Sequence, residues 1–175
     1  MGIMKLHLTN LSLIKKPFTI VFLMLFVSIS SLSANTQEIN LNSVIDKATK
    51  ENKQVAVYFH MNHCGYCKRM GNRTFKDPNV VKKLEKSFVV VDANIDDSQT
   101  IVFDKISYSK KDFANSIDVD FYPTVLFFDK EYYVTYTVRG YRDSKKFREI
   151  LEFIATKSYE SMDFFDYERQ IKEEE

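Results

Sequence analysis

Tryptophan is absent from this chain, and only 2 cysteines, 3 histidines, 3 prolines and 4 glycines occur among its 175 residues. With so little glycine and proline, no internal repeat or low-complexity segment is present, and a packed domain is expected instead. Positive charge is not in excess either, since the formal net charge is +1. Residues 1–34 hold Lys5, Lys15 and Lys16 and no acid, which leaves the rest with 22 bases against 24 acids. A body near −2 offers no electrostatic footprint for nucleic acid. Long apolar runs are missing as well. The longest, Phe18–Val27, covers 10 residues, where a bilayer span needs roughly 20.

What is present is a chain with 45% hydrophobic and 28% charged residues, enough for one soluble core. Its first 34 residues follow the order of a secretory signal. Basic residues precede the apolar run, and the small polar stretch Ser28–Ala34 follows, with Leu32-Ser33-Ala34 as a cleavage site. The expectation is an exported protein, periplasmic if the source is a Gram-negative bacterium. An uncleaved N-terminal membrane anchor is the alternative. The chain then divides into a leader (1–34), one domain (35–157) and an acidic tail (158–175) that docks as a short helix or stays loose.

Leu41, Val44, Ile45 and Ala48 recur at helical spacing and predict a helix over 41–51, capped by Asn40 or Asn42. Gln54–Phe59 reads as a buried strand, Gly65–Asn72 as a helix, and Asp77-Pro78 as the start of another. Phe88–Val91 predicts a second strand. Residues 99–118 are mixed, with a short helix within Tyr108–Ser116. Thr124–Phe128 and Tyr132–Val138 read as a hairpin, and Ser144 as the cap of a helix carrying Phe147, Ile150, Leu151 and Ile154 on one face. Strands alternating with helices imply an α/β fold, a central mixed sheet flanked by helices.

The two cysteines are Cys64 and Cys67, separated by Gly65 and Tyr66. A structural staple stabilises by closing a long loop in the unfolded chain, and this ring is too small for that. A redox pair explains the spacing better. Cys64 falls where a strand ends and a helix begins, so its sulfur faces unpaired N–H groups and the positive end of the helix dipole. Both favour the thiolate, the attacking form. Cys67, three residues on, projects from nearly the same face and resolves the mixed disulfide. Tyr122-Pro123-Thr124 is the second element. X–Pro bonds take the cis form far more readily than others, and a cis bond here would turn Tyr122 so that it offers polar groups to an incoming peptide. An ordinary trans proline opening a strand is the alternative.

The stretch Val55–Ile154 resembles the thioredoxin superfamily. More narrowly, it is similar to exported thioredoxin-like proteins of the SoxW type and to the C-terminal domain of the disulfide reductase DsbD. The resemblance lies in Tyr58-Phe59, Cys64-Gly65-Tyr66-Cys67-Lys68, Thr74-Phe75-x-Asp77-Pro78-x-Val80, Tyr122-Pro123-Thr124-Val125-Leu126-Phe127-Phe128 and Gly140-Tyr141. It implies a thioredoxin fold, thiol–disulfide exchange on protein substrates with a second dithiol protein as redox partner, and Pro123 as the cis-proline beside the site. No cofactor is implied beyond the Cys64–Cys67 disulfide itself. The similarity to reducing members points to a reductase.

Thioredoxins proper carry Trp before the first cysteine and Pro between the pair, where this chain has His63 and Tyr66. They also carry a buried carboxylate six residues ahead of the first cysteine, where this chain has Tyr58. Glu51, Asp92 or a water is left to take over its proton-transfer role. His63, as an imidazolium beside Cys64, would stabilise the thiolate; otherwise it lines the peptide groove. Gly65 and Tyr66 shape the site, Tyr66 as a substrate contact or shield. The competing class is a zinc- or copper-handling module built from His60, His63, Cys64 and Cys67, a tetrahedral ligand set. Alternation along the strand sets His60 apart from that loop and argues against convergence. Met61 and Met70 read as packing residues, and the charge run Lys82-Lys83-x-Glu85-Lys86 as a solvated helix face.

Overall fold

Every residue of Val55–Phe59 is buried, and their side chains alternate between two separate apolar clusters. Such a strand needs a layer on each face, and the architecture follows from that need. A computed structural model describes residues 38–173; the leader-like segment 1–34 lies outside the described residues. In chain order the elements are β1 (Ile39–Asn40), α1 (Leu41–Lys50), β2 (Gln54–His60), α2 (Gly65–Asn72), α3 (Pro78–Ser87), β3 (Phe88–Asn94), β4 (Thr100–Phe103), β5 (Ile106–Ser109), α4 (Lys110–Ser116), β6 (Thr124–Phe128), β7 (Val134–Arg139), α5 (Ser144–Ala155) and α6 (Phe164–Glu173). Short 3-10 turns at Thr74–Lys76 and Ser158–Glu160 link α2 to α3 and α5 to α6. No described helix is long and apolar enough to cross a membrane.

The main sheet has the order β3-β2-β6-β7, with β2 and β3 parallel and the other pairs antiparallel. On one face, Val55, Val57 and Phe59 join Leu41 and Ile45 of α1 and Phe113 of α4. On the other, Ala56 and Tyr58 join Met70 of α2, Val80 of α3, and Phe147 and Leu151 of α5. This is an α/β thioredoxin fold with helices on both faces of a mixed sheet. Met70 is fully buried, as a packing residue should be.

One stretch that the sequence left mixed is resolved, and one helix cap is corrected. Residues 99–109 hold a hairpin, β4 with β5, which pairs in parallel with β1 as a second, three-stranded sheet. The short helix expected within Tyr108–Ser116 is Lys110–Ser116, capped by the Ser109 hydroxyl accepting from Asp112 N–H, and Tyr108 belongs to the hairpin. The cap of α5 is Asp143 rather than Ser144, because the Asp143 carboxylate accepts from Lys146 N–H at 2.8 Å. Both residues are cap-forming types, and the one whose backbone is still extended takes the role.

After Lys157 the chain docks as α6. Phe164 and Tyr167 set their rings 5.4 Å and 5.1 Å from Phe153 of α5, and Glu168 meets Lys146 at 2.6 Å.

Candidate functional site

β2 and β6 run antiparallel with Phe59 opposite Thr124, so the end of β2 lies beside the start of β6. The loop leading to Cys64 leaves one strand where Pro123 enters the other, which is why Cys64 and Tyr122, 58 positions apart, come together. The loop is fastened from β3's side. Ile95 N–H donates to the His60 carbonyl, Asn62 N–H to Asp96 Oδ2 at 2.7 Å, and Asn94 Nδ2 to Asn62 Oδ1 at 2.8 Å. The segment after β3 is held in turn by Lys110, almost wholly buried, whose Nζ meets Asp97 Oδ2 at 2.7 Å.

Cys64 is the N-cap of α2, and its Sγ accepts from Cys67 N–H at 3.0 Å. The two sulfurs are bonded, with Cα atoms 5.2 Å apart. Cys64 is half-buried while Cys67 is only 4% exposed, so an incoming group meets Cys64 first. The Tyr122–Pro123 peptide bond is cis, and the Tyr122 carbonyl oxygen lies 3.9 Å from Cys64 Sγ. The Tyr122 phenol turns back into the protein and donates to the Val119 carbonyl at 3.4 Å.

Beside the pair, Gly65 is open: a Cβ there would meet nothing within 4 Å. Tyr66 is 62% exposed and its ring is tilted 6.1 Å from that of Tyr141. His63 is exposed. Two neighbours were not singled out in the sequence. Phe121 is 56% exposed next to the Tyr122–Pro123 turn, and Arg69 places its guanidinium 4.7 Å over the Tyr141 ring. The helical spacing of Tyr66 and Arg69 was the available signal.

Tyr58 occupies the place where a carboxylate was missing. It is 6% exposed, and its phenol donates to the Cys67 carbonyl at 3.1 Å. Burial first, and then the Asp92 charge, push its pKa up to about 12, so it acts as a neutral donor at any ordinary pH. His60 stacks on Tyr58 with ring centroids 4.8 Å apart and donates from Nε2 to both Asp92 oxygens, at 2.9 and 3.0 Å. Asp92 stands in register with Tyr58 across the parallel pair. Of the two candidate acids, Asp92 is therefore the one brought to the site. Glu51 precedes β2 at its far end, ion-paired with Lys53 at 3.3 Å.

The hydrogen bond from His60 holds the Asp92 carboxyl below its ordinary value of 3.8, against the opposing effect of burial. A depressed carboxyl stabilises the fold fully above its unfolded value and loses that contribution as pH falls through the folded one. Asp92→Asn is thus expected to lower the Tm at neutral pH, with the gap from the unaltered protein closing on acidification below 3.8. A gap of constant size across that range, measured by circular dichroism melts, contradicts the assignment.

The same pair bears on the metal reading. His60 is committed to Asp92, and among the described residues no group of three or more His, Cys, Asp or Glu side chains is placed to hold an ion. The four proposed ligands are not gathered.

A family model described as Thioredoxin-like domain matches residues 41–155. No curated protein matches the chain. Among solved structures, it is similar to a thioredoxin-fold protein from Helicobacter pylori at 26% identity, covering 80% of this chain and 86% of that one with a TM-score of 0.61. It is also similar to a thioredoxin from Thermus thermophilus at 25% identity, covering 69% and 87%, with a TM-score of 0.56. The reduced C-terminal domain of DsbD from Neisseria meningitidis is 21% identical over 64% and 91%, with a TM-score of 0.49.

Proposed function

The chain belongs to the thioredoxin-like domain family, and from that premise we propose that it is a thiol–disulfide oxidoreductase acting on protein substrates, with Cys64 as nucleophile and Cys67 as resolving thiol. One observation carries the reading. A bonded cysteine pair spans the N-cap and first turn of α2 with one sulfur accessible and the other covered. In the reducing direction the Cys64 thiolate attacks a substrate disulfide and expels one substrate thiolate. The deprotonated Cys67 then attacks Cys64 Sγ, closing the Cys64–Cys67 bond and expelling the second. Two electrons pass from protein to substrate, and another dithiol protein restores the pair.

The surroundings fit these roles. The Cys67 N–H that points at Cys64 Sγ, and the helix terminus behind it, would stabilise the thiolate. Tyr122 and Pro123 would form the edge against which the substrate backbone lies, and His63, Gly65 and Tyr66 the approach to it. Tyr58, bonded to the Cys67 carbonyl, would position the resolving cysteine, with Asp92 and His60 behind it.

The reducing direction and export belong to the proposal too. The similarity to exported reducing members and the signal-like order of residues 1–34 support them. Direction follows the difference in potential between partners, where 30 mV corresponds to about 1.4 kcal/mol. The test is reduction of insulin by dithiothreitol, followed by turbidity. An oxidoreductase accelerates precipitation catalytically, and a module that only binds leaves the rate at that of dithiothreitol alone.

A further inference from the structure

Beyond residue 34 the chain is slightly acidic, with 24 acids against 22 bases. Yet one flank of the disulfide is cationic. Lys68 and Arg69 follow Cys67 directly and Arg73 caps the far end of α2; all three are exposed, and with Asn72 they line an open hollow of about 500 Å³. Among the described residues none of the three makes an ion pair. Acids stand instead beside the loops that carry Asn62 and Tyr122. Asp96 holds the loop two residues before Cys64, and Asp120 sits two residues before Tyr122; both are exposed. The rings of the site are the exposed Tyr66 and Phe121 and the half-buried Tyr141, with Arg69 laid across the last.

The geometry points to a specificity device: we infer that Arg69 and Arg73, with Lys68, recruit protein substrates whose reacting cysteine is flanked by acidic residues, and orient them across the aromatic rim. The inference rests on the exchange reading above. Spacing makes it specific. As axial rise at 1.5 Å per residue, Arg69 lies about 7.5 Å and Arg73, the C-cap of α2, about 13.5 Å beyond Cys64. An extended peptide covers those distances in about two and four residues. The favoured substrate therefore carries Asp or Glu two and four positions from its cysteine, on the side that runs down α2. Asp96 and Asp120, beside the loops that carry Asn62 and Tyr122, repel acids placed against those loops.

The probe is a set of self-quenched homodimeric peptides, each joined by one disulfide, with aspartates, lysines or serines at those two positions. Protein pre-reduced with dithiothreitol and freed of it cleaves each dimer to two thiols while its own pair becomes oxidised, and fluorescence gives the single-turnover rate. At low ionic strength the acidic dimer is expected to react about ten-fold faster than the basic one, and high salt should erase most of the difference. Arg69→Glu with Arg73→Glu should invert the preference. Arg69→Gln with Arg73→Gln, which retains good helix formers, should level it. Equal rates for acidic and basic dimers at low salt, or a preference that survives the glutamine pair, overturns the inference. Failure of even the serine dimer to be cleaved overturns the exchange reading, and this inference with it.

Discussion

Cys64→Ser is expected to reduce insulin-reduction turnover to the uncatalysed rate while leaving the fold in place. Serine is a preferred N-cap residue, and its oxygen can accept from Cys67 N–H as the sulfur does now. Losing the disulfide costs little, because its ring closes over only two intervening residues. The hydroxyl, however, is not ionised near neutral pH and does not displace a thiolate from a disulfide. The variant therefore separates chemistry from structure. Full activity with an unchanged circular dichroism spectrum would remove Cys64 from the mechanism.

Phe153→Ala is expected to produce the largest loss of stability away from the site. The ring is 1% exposed, and four aromatic rings pack on it: Tyr136 of β7, Tyr159 from the 3-10 turn, and Phe164 and Tyr167 of α6. Truncating a buried phenylalanine costs about 3–5 kcal/mol, against a total stability of roughly 5–15 kcal/mol for a domain. A Tm lower by about 10 °C or more follows for a chain of this size. Since the hole opens under α6, amide exchange in Phe164–Glu173 should rise more than exchange in β2. A fall in Tm below about 2 °C, or exchange raised evenly throughout, would show that Phe153 does not anchor the terminal helix.

The elements that carry the site were legible where local signals were strong. β2 announces itself as an unbroken apolar run, and the structure extends it only to His60. α3 opens where Asp77 and Pro78 predicted, with the Asp77 side chain accepting from Asn79 and Val80 N–H. The β4–β5 hairpin was not legible, for a physical reason. Its strands are four residues each and largely half-buried or exposed, so their alternation is weak. Its turn uses Asp104 and Lys105 at positive φ, 49° and 68°, where a glycine would have marked it. At the site, adjacency of Cys64 and Cys67 is a property of sequence spacing. The Tyr58–His60–Asp92 group is not. It depends on a parallel register between strands 34 positions apart at Tyr58 and Asp92, so both acids stood as equal candidates until that register was known. The rim formed by Phe121, Tyr141 and Arg69 likewise joins three separate stretches of chain.

One measurement bears most directly on the central claim. Reduced Cys67→Ser protein, mixed with an extract of disulfide-containing proteins, should accumulate covalent adducts. The adducts should be released by dithiothreitol, and mass spectrometry should find each joined through Cys64. No such adducts, or adducts that persist when Cys64 is also replaced by serine, would contradict the account.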